Sequence, residues 1–223
     1  MSPWVWYRRT FAIPASWAGQ RVLLHFGAVD YRAWVWINGQ LAGSHEGGGT
    51  PFRFDITSLL KTGANTLVVK AEDPPQDRFI PRGKQYWELK SRGIFYTRTS
   101  GIWQPVWLEA AGDSYLDRVR ITPSIDGRVR LEARLARPQD GLEFAASVTF
   151  RGNPAVSGQV NVRGSTAHLE LRVPNPQLWM VNSPNLYDVT FEVRRAGTVL
   201  DRVKSYFGLR EVAVSNGRVW ING

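Results

Sequence analysis

Between residues 71 and 101 the chain reads AEDPPQDRFIPRGKQYWELKSRGIFYTRTSG, and this stretch concentrates side chains able to do chemistry. Arg82, Lys84 and Gln85 carry polar heads that satisfy hydroxyl groups, and the indole of Trp87 can cover the apolar face of a pyranose ring. The set suits a sugar. The same residues also admit a second reading, in which they fasten this segment to another part of the fold. Asp73 is equally two-sided. It can accept hydrogen bonds from a ligand, or it can simply end a strand before Pro74-Pro75, because Asp-Pro is an ordinary turn signal. A stretch of this length is too long for a plain connection, and long ordered loops on sandwich frames often carry binding groups.

Catalysis by these groups alone is not expected. Hydrolysis of a glycosidic bond takes two carboxyl groups, roughly 5–5.5 Å apart for retention or 6.5–9.5 Å for inversion. Glu46, Asp73, Asp77 and Glu88 are present, and the sequence leaves open a chance meeting of two of them in a loop. The three histidines at 25, 45 and 168 have no ligand spacing and there is no cysteine, so no metal site and no cofactor is expected. GSHEGGGTPFRFDI is not a phosphate cradle, since no helix and no Walker lysine follow its glycines. It reads as a turn whose glycines permit positive φ and return Phe52 and Phe54 to the core, with His45 beside it.

The elements that must position these groups are strands. RVRLEARL (128–135) and LEFAASVTF (142–150) alternate with period two. LYDVTFEV, RAG and TVLDRVKSYF read as a hairpin with Gly197 in the turn. Helical signal is confined to DITSLL, where Asp55 can cap a single turn. Trp103 and Trp107 are expected in the core on one face, although Pro105 argues for an edge position. Trp179 is expected to plug one end of a sandwich. The pentapeptide VWING occurs at 35–39 and at 219–223. Little outside it is shared, so both copies answer a local demand: three strand formers, then Asn-Gly, the strongest hairpin turn signal. The second copy reads as half of a hairpin.

Tryptophan and glycine are dense up to EAAGDSYLDRV, and strands become short and regular after it. Two sandwiches fit that shift, so the fold class is all-β: residues 1–112 jelly-roll-like, residues 113–215 immunoglobulin-like with around seven strands, and residues 216–223 a connection. A formal charge of +9 invites a nucleic-acid partner. The basic residues are nonetheless spread out, and arginines scattered on alternating strand positions are not expected to cluster, so none is expected. The opening MSPWVWYRRTF lacks an apolar signal region and no stretch is long and apolar enough for a membrane span, which predicts a cytoplasmic product with no membrane partner.

WVWYRRTFAIP, LLHFGAVDYRAWVWINGQLAGSHEGGGTPFRFDIT, NTLVVKAEDP, RGKQYW and YTRTSGIWQPVWLE resemble the N-terminal sugar-binding domain of glycoside hydrolase family 2, the β-galactosidase and β-glucuronidase group. LWMVNSPNLYDVTFEV and DRVKSYFGLREVAV resemble the immunoglobulin-like domain that follows it. The resemblance implies that NGRVWING leads into a catalytic (β/α)₈ barrel, which these residues are too few and too strand-rich to contain. It also implies a jelly roll whose first strands are supplied upstream, so that the present one is N-terminally incomplete and prone to associate. Asp73 matches an acidic residue that helps shape the sugar site at the barrel mouth, where it would act as an auxiliary ligand; Arg82, Gln85 and Trp87 are candidate contacts beside it by their own chemistry. The implied partner is a β-glycoside bound by the whole enzyme, with no catalytic residue in this segment. Two rival readings are a free-standing carbohydrate-binding module and an adhesion-type pair of sandwiches.

Overall fold

The computed structural model describes residues 4–223. The helical elements among them are two 3₁₀ turns, Ala15–Trp17 and Thr57–Leu59. At the second turn the capping position is Ile56, and Asp55 acts from one residue further out by accepting the Thr57 N–H at 3.1 Å. All other regular structure is strand. The chain divides into two compact units, one ending at Ala111 and one beginning at Gly112.

The first unit contains β1 (Trp4–Ala12), β2 (Arg21–Phe26), β3 (Val29–Asp30), β4 (Arg32–Ile37), β5 (Gln40–Glu46), β6 (Phe52–Asp55), β7 (Ala64–Glu72), β8 (Gln85–Tyr86), β9 (Tyr96–Thr97), β10 (Gly101–Ile102) and β11 (Val106–Ala111). Its two larger sheets have the orders β1-β7-β4-β5 and β11-β2-β6. Alternation explains what lies inside. In β4 the residues Ala33, Val35 and Ile37 point to the core and join Phe26, Ile56 and Val69, while Trp34 and Trp36 stay half-exposed on the other face. Asn38 and Gly39 then take φ of 52° and 84°, the positive pair that an Asn-Gly hairpin turn demands. Asn38 is more than a turn residue. Its amide donates to the Leu59 carbonyl at 2.9 Å and to Asn65 Oδ1 at 2.8 Å, tying the hairpin to the 3₁₀ turn.

The expected placing of Trp103 and Trp107 in the core is wrong. They are 53% and 46% exposed. Both sit at odd positions of the segment, as expected, but Val106 and Leu108 take the inward parity of β11. Trp107 instead stacks on His25 with centroids 4.8 Å apart, and Trp103 Nε1 donates to the Gly48 carbonyl at 2.7 Å. The edge position suggested by Pro105 is present: β11 pairs with β2 alone. On the other sheet β1 pairs with β7 alone. A cleft of about 700 Å³ is lined by β1 and β11, with Tyr7, Arg9, Phe11, Val69, Val106 and Leu108 on its walls.

The second unit contains β12 (Tyr115–Pro123), β13 (Arg128–Ala136), β14 (Leu142–Phe150), β15 (Asn153–Asn161), β16 (Thr166–Arg172), β17 (Trp179–Met180), β18 (Ser183–Pro184), β19 (Tyr187–Arg195), β20 (Thr198–Phe207), β21 (Val212–Ser215) and β22 (Arg218–Ile221). The sheets β12-β13-β16 and β15-β14-β19-β20 hold the strands of the sandwich and enclose Val129, Leu131, Phe144, Tyr187 and Phe191. The β19–β20 hairpin turns through Ala196 and Gly197, with φ of 47° and 78°. Trp179 is partly buried, with Arg210 4.9 Å over its ring and Gly208 so close that a Cβ there would meet it at 3.1 Å. The second VWING strand, β22, pairs backward with β21, and Asn222 ties two segments by donating to the Trp179 carbonyl and accepting the Glu211 N–H, both at 2.9 Å.

Candidate functional site

β7 delivers Asp73 to the end of its sheet, and the chain returns to the sheet at β10 after residues 74–100. Within this loop the backbone pairs only over the two-residue parallel β8–β9 ladder and an isolated bridge between Arg92 and Phe95, and side chains tie it to its surroundings. They do so in two places. At its base, Asp73 is 3% exposed; Ser100 Oγ donates to its Oδ2 at 2.6 Å, and the Arg82 guanidinium lies 3.7 Å from its Oδ1. Arg82 also donates to the carbonyls of Asp77 (3.0 Å) and Pro74, so one guanidinium closes the first turn of the loop.

The second place is Gln85. Its Nε2 donates to Asp30 Oδ2 at 2.9 Å, while its Oε1 accepts the Thr99 N–H at 2.8 Å. Asp30 ends β3, is buried, and precedes a cis peptide to Tyr31. Burial pushes its pKa above the ordinary carboxylate value; the Gln85 hydrogen bond works against that, Asp73 adds to it, and Arg82 opposes it. Gly48 lies against the same carboxylate, with no room for a Cβ. The glycine loop and the long loop therefore meet at Asp30. His45 contributes to the glycine loop alone, with Nε2 3.0 Å from Thr50 Oγ1 and its ring stacked on Phe52.

Three of the four expected site residues, Asp73, Arg82 and Gln85, thus serve the two ties that hold the loop, the first two at its base and Gln85 at Asp30. Ser100 occupies Oδ2 of the Asp73 carboxylate, so a sugar hydroxyl at that oxygen would have to replace it. Trp87 lies elsewhere. Its indole packs at a tilt against Tyr86 and Phe95, with the Arg78 guanidinium 5.0 Å over the ring. Together with Gln76, Glu88, Leu89 and Lys90, these two residues line an open groove of about 690 Å³. An aromatic face flanked by amide, guanidinium, carboxylate and ammonium groups is able to hold a sugar ring. Sequence reasoning missed Asp30, Ser100, Gln76 and Arg78. A signal existed only for Asp30, a lone acid directly after the apolar residues Ala28 and Val29. Among the described residues no three His, Asp or Glu side chains gather as a metal set.

Comparison with known proteins adds a lineage. Residues 1–108 match the family described as glycosyl hydrolases family 2, sugar binding domain, and residues 114–210 match glycosyl hydrolases family 2. A β-glucuronidase of Canis lupus familiaris is 30% identical over 247 residues, which is 99% of this chain and 37% of that one. A β-galactosidase of Thermoanaerobacter pseudethanolicus is 26% identical over 230 residues, 98% of this chain and 30% of its own length. The solved structure of a Bifidobacterium dentium β-glucuronidase complexed with coumarin-3-O-glucuronide superposes with a TM-score of 0.77 at 25% identity, over 99% of this chain and 42% of that chain. The chain therefore spans well under half the length of these relatives.

Proposed function

Because this chain belongs to glycoside hydrolase family 2, we propose that it serves as the non-catalytic N-terminal segment of an enzyme that hydrolyses O-glycosyl bonds of β-glycosides in the cytoplasm. The observation that carries the reading is the match of two successive family domains, in order, against relatives of which this chain covers 37% and 30%. The segment's part is architectural. Asp73, Arg82 and Gln85 brace the 74–100 loop, and the loop presents Trp87 and Arg78 to the rim of an active site whose acid and nucleophile lie in a barrel outside these residues. The proposed partners are that barrel and, through it, a carbohydrate.

The chain alone should release no chromophore from 4-nitrophenyl β-galactoside, β-glucuronide, β-mannoside or β-glucoside. Turnover that disappears in Asp73→Asn would overturn this reading, because the reaction would then sit in the loop itself. The groove beside Trp87 favours one alternative, a carbohydrate-binding module that acts without a barrel. Glycan binding by calorimetry that is lost in Trp87→Ala supports it, and absence of binding across a broad panel removes it.

A further inference from the structure

Strand alternation in the second unit gathers what the sequence scatters. β13 shows Val129, Leu131, Ala133 and Leu135 to the core and Arg128, Arg130, Glu132 and Arg134 to the outside, and its neighbours follow the same parity with Arg118, Arg120 and Thr122 on β12 and Thr166, His168, Glu170 and Arg172 on β16. All of the outward residues are exposed. The expectation that arginines on alternating positions do not cluster is overturned for this face, because register aligns the outward parity of three adjacent strands. Four of the arginines have acidic neighbours: Arg120 with Glu132 at 3.8 Å, Arg130 with Glu170 at 3.2 Å, Arg128 with Asp126 at 2.7 Å, and Arg134 with Asp117. Arg118 and Arg172 have no acidic partner among the described residues.

Two cross-strand pairs bring like charges directly opposite, Arg118 with Arg134 and Arg128 with Arg172. Such pairs destabilise a sheet, and the acids already present, Asp117 at Arg134 and Asp126 at Arg128, offset one arginine of each pair and leave Arg118 and Arg172 to attract a further anion. The two pairs stand at the two ends of the face, about 20 Å apart along β13 at roughly 3.3 Å per residue. Between them Glu132 and Glu170 oppose a dense row of phosphates, and no Phe, Tyr or Trp stands among the outward residues to stack on bases, so a nucleic acid fits poorly. A linear ligand with well-separated anions fits. At the Arg118 end a depression of about 330 Å³ is lined by Arg118, Arg120, Glu132, Arg134, Thr166 and His168, which supply cations for one acidic group and polar groups for the surrounding hydroxyls.

We propose that the outer face of β12-β13-β16 binds an extended anionic polysaccharide, seating one acidic sugar unit between Arg118 and Arg134 and a later one between Arg128 and Arg172. The proposal is independent of the glycosidase reading, since it concerns a surface of the second unit and needs no barrel. The test is affinity electrophoresis of the 223-residue chain in gels containing polygalacturonate, neutral dextran or oligo-dT. Polygalacturonate should retard the chain, dextran should not, and retardation should vanish near ~0.5 M salt, where charges are screened within a few ångströms. Arg118→Ala/Arg134→Ala/Arg172→Ala should weaken retention by about tenfold or more, as loss of several charge-assisted contacts requires. A control of equal charge change, Arg8→Ala/Arg92→Ala/Arg218→Ala, should stay within about twofold by the same reasoning. Single Arg118→Gln serves if the triple variant misfolds by circular dichroism, with a smaller loss in the same direction. The proposal fails if polygalacturonate does not retard the chain, if both triple variants lose retention equally, or if oligo-dT binds as tightly.

Discussion

Gly101 fixes the point where the long loop rejoins the sheet. It adopts φ of +93°, and its missing Cβ leaves room for the Tyr7 hydroxyl, which accepts the Ile102 N–H at 3.1 Å. An alanine there meets both a backbone conformation that L residues avoid and an overlap with Tyr7. Gly101→Ala should lower stability by about 2 kcal/mol or more, read as a lower urea midpoint with unchanged slope. Asp30 makes a pH prediction of definite sign. Its folded pKa lies above the unfolded value of about 3.8 because burial disfavours the charge, so the native state holds the proton more tightly. The term therefore favours folding as pH falls through the raised pKa, and the penalty of the buried charge is in full force above it. Asp30→Asn should remove this term, so that as pH is lowered from neutral through the raised pKa the variant's urea midpoint gains less, or falls more, than that of the parent chain. Glu192 contributes with the opposite sign. Hydrogen bonds from Arg194 and Arg202 hold its pKa below 4.5, so its stabilisation is present above that value and is lost as pH falls through the folded pKa. A midpoint profile of Asp30→Asn that parallels the parent at every pH would dismiss the Asp30 term.

At the level of elements, the loop of residues 74–100 depends on side chains for its order, and Gln85 is its bridge to β3. Gln85→Ala cuts the links to Asp30 and Thr99 together, leaving a buried carboxylate without its neutral donor. The variant should be cleaved by trypsin within residues 78–98 several-fold faster than the parent, with the sandwich cores intact; equal cleavage rates would assign the ordering to Asp73 and Arg82 alone. Much of this architecture was readable beforehand. Alternation located β13, β14 and the β19–β20 hairpin, and Asn-Gly located the turn at Asn38. Alternation does not say which parity faces inward when both are apolar, and that is why Trp103 and Trp107 were misplaced while Val106 and Leu108 carried the core. The loop residues were legible as types but not as orientations. Asp73 meets a partner 27 residues away and Gln85 one 55 residues away, and no local pattern encodes such a meeting. The free edges of β1 and β11 carry their own consequence. Unpaired backbone beside the apolar cleft favours edge-to-edge association, so the chain should show concentration-dependent size in sedimentation, and a clean monomer at all concentrations would count against it.

For the molecule as a whole, the two apolar clusters share no residue, one drawn from the strands of the first unit and one from those of the second. We propose on this basis that the boundary near Gly112 separates two domains that melt independently, as the composition shift in EAAGDSYLDRV suggests. Phe144 decides the matter because it is fully buried, stacks with Phe191 at 5.7 Å, and belongs to the second cluster alone. Truncating it removes a large apolar surface and leaves a cavity, which costs about 3–5 kcal/mol. In a domain of this size that loss lowers the melting temperature on the order of 10 °C or more. Calorimetry of Phe144→Ala should therefore show one transition displaced downward and one unmoved, and Phe26→Ala, in the first cluster, should displace the other. If either substitution shifts the whole endotherm as a single peak, the units unfold together, and the boundary at Gly112 marks a change of architecture without a change of cooperativity.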